Sequence, residues 1–320
     1  MKNKKNSLPI IALLALGLVA VIIIFARPAT GPSPEESLEA KKINGLMMLI
    51  EFEDMDGVWQ WEKELDKRGL TALMDVQANM LREYPEDFKR LADKGYEIAG
   101  VSSGEPYWGV PYEKQYQDML DTKNLVEEIT GKKMRVFSSK YFAYDETTLQ
   151  VADELGVEYL LGRGVNDVEA TLYSPEEYEA KIISVTNVDV GEPMGRGSLC
   201  DYSLWARGAS GQEFREILEE SLAKEPDNMI LVSHAYLGGT RLEWWNEYER
   251  VLSSDKVIWK GFSEWIDNQA EISLPIDEIP VNQEVKYTTP SPAKEISEYE
   301  AIPGLGEGSF TLPNEELMCL

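Results

Sequence analysis

The chain has 320 residues, of which 57 are acidic and 31 basic, so its net charge is -26 at pH 7. This charge repels a phosphate backbone, and we expect no nucleic-acid partner. The chain contains one histidine, His234, and two cysteines. Zinc sites built on several imidazoles, four-cysteine sites and iron–sulfur clusters held by one chain are therefore excluded. Any metal site should be rich in carboxylates and suit a hard ion such as Mg2+, Mn2+ or Ca2+.

The N-terminus carries an almost uninterrupted apolar run, residues 8–26, preceded by Lys2, Lys4 and Lys5 and followed by Arg27. The run is long enough for a membrane span, which needs about 17–25 residues, and longer than the core of a cleaved signal. The excess of lysines before it predicts a cytoplasmic N-terminus. We expect a signal anchor over residues 1–27, with the domain facing the cell exterior, and keep a cleaved signal as the alternative.

Two segments without apolar periodicity flank the central region. Residues 28–42 are rich in proline, serine and charge and predict a linker. Residues 271–320 carry scattered prolines and acids and predict an irregular tail, either wrapped around the domain or disordered. The globular domain is therefore expected over residues 43–270.

Within this domain, strand and helix patterns alternate, which predicts an α/β fold: a (β/α)7–8 barrel-like domain with parallel strands. Glycines at the ends of several helical patterns mark their termination. In chain order, the predicted elements are strand 45–52, helix 59–68, strand 70–76, helix 85–94, strand 96–101, helix 114–129, strand 133–137, helix 145–155, strands 157–161 and 182–190, helix 212–223, strand 228–233, helix 241–252 and strand 256–260.

Polar side chains follow the predicted strands, at the edge where barrels of this kind carry their chemistry. Those at the strand ends are Glu51, Glu53, Asp54, Asp56, Asp75, Gln77, Ser102, Ser103, Glu105, Ser138, Ser139, Lys140, Tyr141, Arg163 and His234.

The order of these segments resembles the polysaccharide deacetylase family, the NodB-homology domain of carbohydrate esterases. IEFEDMDG after the first strand is similar to the family's TFDDG-like motif, and GYEIAGVSSGE is similar to its GHEIGNHTxxH motif. The family's later motifs follow in the same order along the chain. They are matched by FSSKYFAYDETTLQVADELGVEYLL, by Asp201 with Trp205, and by Val232-Ser233-His234. The resemblance implies a barrel that acts on or binds N-acetylated glycans.

Carried over by position, the resemblance implies that Glu53 is the general base and His234 the general acid. It implies Asp54 and Glu105 as ligands of a divalent ion whose identity stays open. Val101 and Glu105 stand where the family has two ligand histidines, and Ser138 stands where it has an arginine that orients the base. Asp75 or His234 could complete an oxygen-rich metal site.

A glycan ligand would also need aromatic side chains, because sugar rings stack on indole and phenol planes. Trp108 lies in a loop flanked by proline and glycine, GEPYWGVPY, and is the best stacking candidate. The expected substrate-binding residues are Trp108, Tyr141, Asp201 and Trp205.

Three functions are compatible with these patterns. The first is a membrane-anchored, extracytoplasmic enzyme that hydrolyses N-acetyl groups of a glycan. The second is a catalytically silent barrel that binds a glycan or a surface partner. The third is a glycoside hydrolase with two carboxylates, for instance Glu53 and Glu105. A disulfide between Cys200 and Cys319 would join the tail to the domain, and two unpaired thiols are the alternative.

Overall fold

A computed structural model describes residues 41–51, 54–165, 167–191, 195–280 and 292–305. Its strands are β1 (Ile43–Glu51), β2 (Leu73–Val76), β3 (Glu97–Val101), β4 (Val136–Ser138), β5 (Tyr159–Gly162), β6 (Thr171–Pro175), β7 (Lys181–Ser184), β8 (Asn187–Asp189), β9 (Arg196–Ser198), β10 (Asn228–His234), β11 (Val257–Lys260) and β12 (Glu271–Leu274). Its α-helices are α1 (Asp56–Arg68), α2 (Ala78–Glu83), α3 (Pro85–Asp93), α4 (Tyr112–Thr130), α5 (Glu146–Leu155), α6 (Asp201–Trp205), α7 (Gly211–Ala223), α8 (Ala235–Gly238), α9 (Leu242–Leu252) and α10 (Phe262–Asp267). Short 3-10 turns lie at Lys140–Phe142, Ile276–Glu278 and Ile296–Glu298.

Ten strands form one curled, mostly parallel sheet in the order β10-β1-β2-β3-β4-β5-β7-β6-β12, with β11 also paired to β1. β8 and β9 form a separate antiparallel pair. The neighbours from β10 to β7 are all parallel, as the alternation of strand and helix patterns predicted. The all-parallel barrel of seven or eight strands is wrong in detail. β6 runs antiparallel to β7 because the connection between them is too short for a crossover helix. The result is an α/β half-barrel.

The segment expected to be an irregular tail begins with a strand. β12 (Glu271–Leu274) pairs in parallel with β6 and extends the sheet beyond residue 270. Further on, residues 292–305, here called the C-terminal strap, lie against the domain. The backbone N–H groups of Leu242 and Ile302 donate to the carbonyls of Glu300 and Thr240 respectively, both at 2.8 Å. The part of the tail that the structure describes therefore follows the first of the two expectations, a wrapped segment.

Local sequence explains where the helices begin and end. α1 and α5 end at Gly69 and Gly156, which take the left-handed conformation with φ of 66° and 68°. Asp145 and Ser210 form capping boxes at the starts of α5 and α7. These signals position the strand ends at which the candidate site lies.

The predicted signal anchor lies outside the described residues. None of the helices within the described ranges is long and apolar enough to cross a membrane.

Candidate functional site

The register of β1 with its neighbouring strands determines which side chains lie next to each other at the strand ends. Ile50 pairs with His234 on β10 and with Asp75 on β2. Side chains at paired positions of parallel strands share a face, and successive side chains alternate between faces. Trp61 of α1 donates its indole N–H to Ser233 Oγ at 3.1 Å, so Ser233 faces the helices. His234 and Asp75 consequently face the inner side of the curled sheet.

Asp75 is a buried carboxyl at the end of β2, with 2 % of its surface exposed. Ser138 at the end of β4 donates its hydroxyl to Asp75 Oδ1 at 2.7 Å. Burial raises the pKa of Asp75 to about 7, although the Ser138 hydrogen bond favours the ionised form. A carboxyl with such a pKa can accept or donate a proton near neutral pH, so Asp75 has a chemistry that its sequence position alone did not indicate.

His234 is completely buried at the end of β10. The rings of Tyr202 and Tyr236 lie beside the imidazole, with centroids 4.8 and 5.7 Å from its own. Its Nδ1 lies 3.1 Å from the sulfur of Cys200 and 3.6 Å from Oδ1 of Asp201. A general acid must reach the substrate, so this enclosed imidazole could act only after its surroundings had moved.

Asp201 is also completely buried and is bonded within the protein. Its Oδ1 accepts the backbone N–H groups of Tyr202 and His234 at 2.6 and 2.8 Å, and its Oδ2 accepts the Ser233 hydroxyl at 2.9 Å. These bonds hold the end of β10 against the start of α6, and the contact of the buried Asp201 with substrate stays a prediction.

Trp205 is likewise placed differently from the predicted substrate-binding role. It is 4 % exposed, and its indole N–H donates to the carbonyl of Lys294 in the C-terminal strap at 2.9 Å. The tail thus covers a tryptophan that the sequence pattern had assigned to a ligand.

The two predicted metal ligands contact different groups. Glu105 is exposed and forms an ion pair with Lys114 of α4. Asp54 is half-buried; burial raises its pKa, and the charge of Arg241 partly opposes this. The predicted base, Glu53, lies outside the described residues. Within the described ranges, neither Asp54 nor Glu105 belongs to a group of three or more His, Cys, Asp or Glu side chains that could hold an ion. A shared ion site of Asp54, Glu105 and His234 is therefore not found among the described side chains.

The divalent ion implied by the resemblance does not fit the described residues at these positions. Val101 has no donor atom, and Glu105 is engaged by Lys114. These positions supply at most two carboxylates, Asp54 and Glu105, whereas a catalytic metal site usually needs three protein ligands.

Trp108 and Tyr141 do come together, as a half-exposed aromatic pair at the ends of β3 and β4. Their rings stack with centroids 6.4 Å apart and an interplanar angle of 25°. Lys140 Nζ lies 5.1 Å from the centre of the Tyr141 ring. Tyr141 is held at a φ of 65°, and Phe142 follows at 53°, so two successive non-glycine residues adopt the left-handed conformation. Such strain persists only where surrounding contacts impose it, and it concentrates at functional sites.

The loop that carries Trp108 is fixed to the neighbouring elements. The N–H of Tyr107 donates to Ser139 Oγ at 3.3 Å, and the N–H of Gly109 donates to Asp145 Oδ2 at 2.8 Å. The Tyr107 hydroxyl donates to Asp118 of α4 at 2.6 Å. The aromatic pair is therefore supported on both sides by hydrogen bonds to helices and strand ends.

Sequence reasoning missed one feature of the site. Cys200 was considered only as a disulfide partner of Cys319, which lies outside the described residues. The structure places Cys200 against the single histidine. The signal available in the sequence was its position directly before Asp201, at the start of the DxxxW-like segment.

Residues 41–160 match the family model described as polysaccharide deacetylase. This stretch of the chain is therefore similar to the polysaccharide deacetylase family. The match covers the first four strands and the start of β5, and it confirms the resemblance suggested by the sequence motifs. No curated protein matches the sequence.

Solved structures agree with this deacetylase-type fold. A Mycobacterium smegmatis protein assigned as a polysaccharide deacetylase superposes with a TM-score of 0.57 at 15% identity, over 76% of this chain and 97% of its own. One from Pseudomonas aeruginosa PAO1 gives 0.55 at 16% identity, over 70% and 90%. PuuE allantoinase gives 0.55 at 15% identity, over 75% and 93%. Identities this low establish the fold and leave the substrate open.

Proposed function

We propose that this deacetylase-family barrel binds a glycan through its strand ends without the family's metal-dependent hydrolysis. The observation that carries the proposal is the stacked pair Trp108 and Tyr141, half-exposed at the strand ends. Its expected ligand is an N-acetylated sugar chain, the substrate type of the family.

The aromatic pair has the properties of a sugar-binding surface. Stacked aromatic planes contact the flat C–H faces of sugar rings, and polar groups nearby bind the ring hydroxyls. Lys140 beside Tyr141 provides such a group. The left-handed backbone at Tyr141 holds the ring in place before the ligand arrives, so little ordering cost is added on binding.

The positions of the expected catalytic residues favour binding over the family's usual reaction. At the expected metal positions the described residues supply the carboxylates of Asp54 and Glu105, and Glu105 is paired with Lys114. His234 is enclosed by two tyrosines. Metal-dependent deacetylation needs a metal-bound water and a proton donor that reaches the leaving amine.

The proposal is tested by titrating the purified protein with N-acetylglucosamine oligomers in a calorimeter, with acetate release measured on the same samples. Trp108→Ala and Tyr141→Ala should each weaken binding about tenfold, corresponding to the loss of about 1.4 kcal/mol of stacking. Tyr141→Phe should bind normally. Trp59→Ala, which removes an exposed tryptophan from α1, is the matched control. Equal affinities for all four variants would contradict the proposal.

Hydrolysis of an N-acetyl group is the second candidate, favoured by Asp75. A buried carboxyl with a pKa of about 7 is suited to activating a water molecule. Acetate release that disappears in Asp75→Asn while glycan binding persists would establish this candidate in place of the first.

We also propose that the apolar run 8–26 tethers the barrel to the membrane with the glycan site outside the cell. The support is the length of the run and the lysines before it. Protease added to intact cells should digest the domain, and detection of a protected domain would refute the orientation.

A further inference from the structure

Three buried side chains of different chemistry meet where β10 ends and α6 begins. Cys200, Asp201 and His234 each offer one ligand atom, and these atoms lie within 4.8 Å of one another. We propose that they bind a transition metal ion, with Zn2+ as the expected ion, at a position distinct from Asp54 and Glu105. The proposal does not depend on glycan binding.

The spacing of the three atoms fits a tetrahedral ion. Cys200 Sγ lies 3.1 Å from His234 Nδ1 and 3.4 Å from Asp201 Oδ1, and these last two atoms are 3.6 Å apart. Bonds from zinc of about 2.3 Å to sulfur, and about 2.0 Å to nitrogen and oxygen, give ligand separations of about 3.3–3.6 Å at tetrahedral angles. Each side of the observed triangle is within about half an ångström of that range.

Strand pairing and neighbouring hydrogen bonds fix the positions of these three side chains. Cys200 forms a parallel bridge with Val232, two residues before His234 on β10. Side chains two residues apart on a strand share a face, so Cys200 and His234 point to the same side. Asp201 is held in turn by the N–H groups of Tyr202 and His234 and by the Ser233 hydroxyl. Ligands oriented by such neighbouring hydrogen bonds are a property of natural metal sites.

The donor set selects the class of ion. A thiolate and an imidazole prefer Zn2+ or Co2+ over Mg2+ and Ca2+, which prefer oxygen ligands. The expectation of a carboxylate-rich site for a hard ion is therefore replaced here by a mixed site of sulfur, nitrogen and oxygen. The charge of the ion also suits these ligands, because a divalent cation neutralises the two negative charges of a buried thiolate and a buried carboxylate.

A buried guanidinium interacts with the thiol of Cys200. The Arg207 guanidinium, 1 % exposed, interacts electrostatically with Cys200. It is oriented by bonds to the Ser203 carbonyl and hydroxyl at 2.5 and 2.7 Å and to the Arg196 carbonyl at 3.1 Å. A neighbouring positive charge stabilises the thiolate form of cysteine.

The competing explanation of the short Cys200–His234 contact is a hydrogen bond between thiol and imidazole with no ion. The test uses the full chain, stripped with a chelator and then titrated with ZnCl2 or CoCl2 alone. We expect about one ion per chain after dialysis, and with Co2+ an absorption band from thiolate-to-metal charge transfer. Protein that retains no metal and gives no such band overturns the proposal.

Variants identify the ligands. Cys200→Ser and Asp201→Asn should each weaken Zn2+ binding at least about 100-fold. Cys319→Ala and Glu105→Gln are the controls and should bind Zn2+ as the natural chain does. A thiolate band that survives in Cys200→Ser, or metal content that falls in Glu105→Gln, would assign the ion to another site and refute the proposal.

The single histidine allows a further measurement that needs no variant. The imidazole nitrogens of a 15N-labelled chain all come from His234, because the sequence has no other histidine. Zn2+ should shift the Nδ1 resonance and leave a protonated Nε2. An imidazole spectrum that does not change with Zn2+ would contradict coordination even if a variant failed to fold.

Discussion

Replacing Asp75 by asparagine should stabilise the protein at neutral and alkaline pH. Asp75 is buried and accepts a hydrogen bond from Ser138, and its pKa is raised by burial from 3.8 to about 7. Asparagine retains an oxygen that can accept the same hydrogen bond but carries no charge. The substitution therefore removes the desolvation cost of the ionised carboxylate and leaves the packing nearly unchanged.

The magnitude and its sign follow from proton linkage. Between about pH 4 and pH 7 the folded chain keeps the Asp75 proton that the unfolded chain loses. Asp75 therefore lowers the free energy of unfolding as the pH rises through this window, and its effect is constant above it. The separation between 3.8 and about 7 corresponds to about 4 kcal/mol at 1.36 kcal/mol per pKa unit. The variant should match the natural chain near pH 4 and exceed it by up to about 4 kcal/mol at pH 8.

Urea unfolding of both proteins from pH 4 to pH 8 measures this difference directly. Glu128→Gln, which neutralises an exposed carboxyl on α4, is the control and should show no comparable pH-dependent gain. A constant difference between the natural chain and Asp75→Asn across this range would refute the reasoning. So would a variant that is less stable at pH 8, because Asp75 would then be stabilised in its charged form.

Three further predictions concern the framework of the site. Gly57→Ala should destabilise the fold by about 3 kcal/mol or more, because its Cβ would lie 1.9 Å from the carbonyl oxygen of Ala235; unchanged thermal unfolding would contradict this. Tyr141→Gly should raise the free energy of unfolding by about 1 kcal/mol while abolishing glycan stacking, because glycine adopts a φ of 65° without strain; a loss of stability in denaturant unfolding would show that the ring contributes more than the strain costs. Ser210→Ala should cost about 1 kcal/mol in the same assay by removing the capping box with Glu213 at the start of α7, and a neutral effect would mean that tertiary contacts alone hold this helix.

Sequence patterns predicted the parallel part of the sheet because each βαβ unit repeats a local signal, an apolar strand followed by a helix closed by glycine. The reversal at β6 depends on the pairing of distant segments, which periodicity does not report. The same limit applies to β12 (Glu271–Leu274). The prolines around it are typical of an irregular tail, but the strand pairs with the distant β6.

The aromatic pair was predictable because a tryptophan in a loop rich in proline and glycine is a local feature. The burial of Asp201 and Trp205 was not, because it results from the C-terminal strap and from the packing of Tyr202 and Tyr236 over β10. The ion pair of Glu105 with Lys114 was not predictable, because motif alignment gives a position on the strand-end loop but not the partner of the side chain.

The C-terminal strap has a practical consequence for any shortened version of this protein. Ile296 and Tyr299 of the strap are buried, and Tyr299 packs edge-on against Trp244 with ring centroids 6.1 Å apart. A chain ended at residue 270, where sequence patterns place the domain boundary, would lack these anchors and uncover Trp205 and Trp244 together. Such a truncation exposes an apolar surface that promotes aggregation. Poor solubility of the shortened fragment would therefore result from the position of the truncation and not from an inability of the barrel to fold.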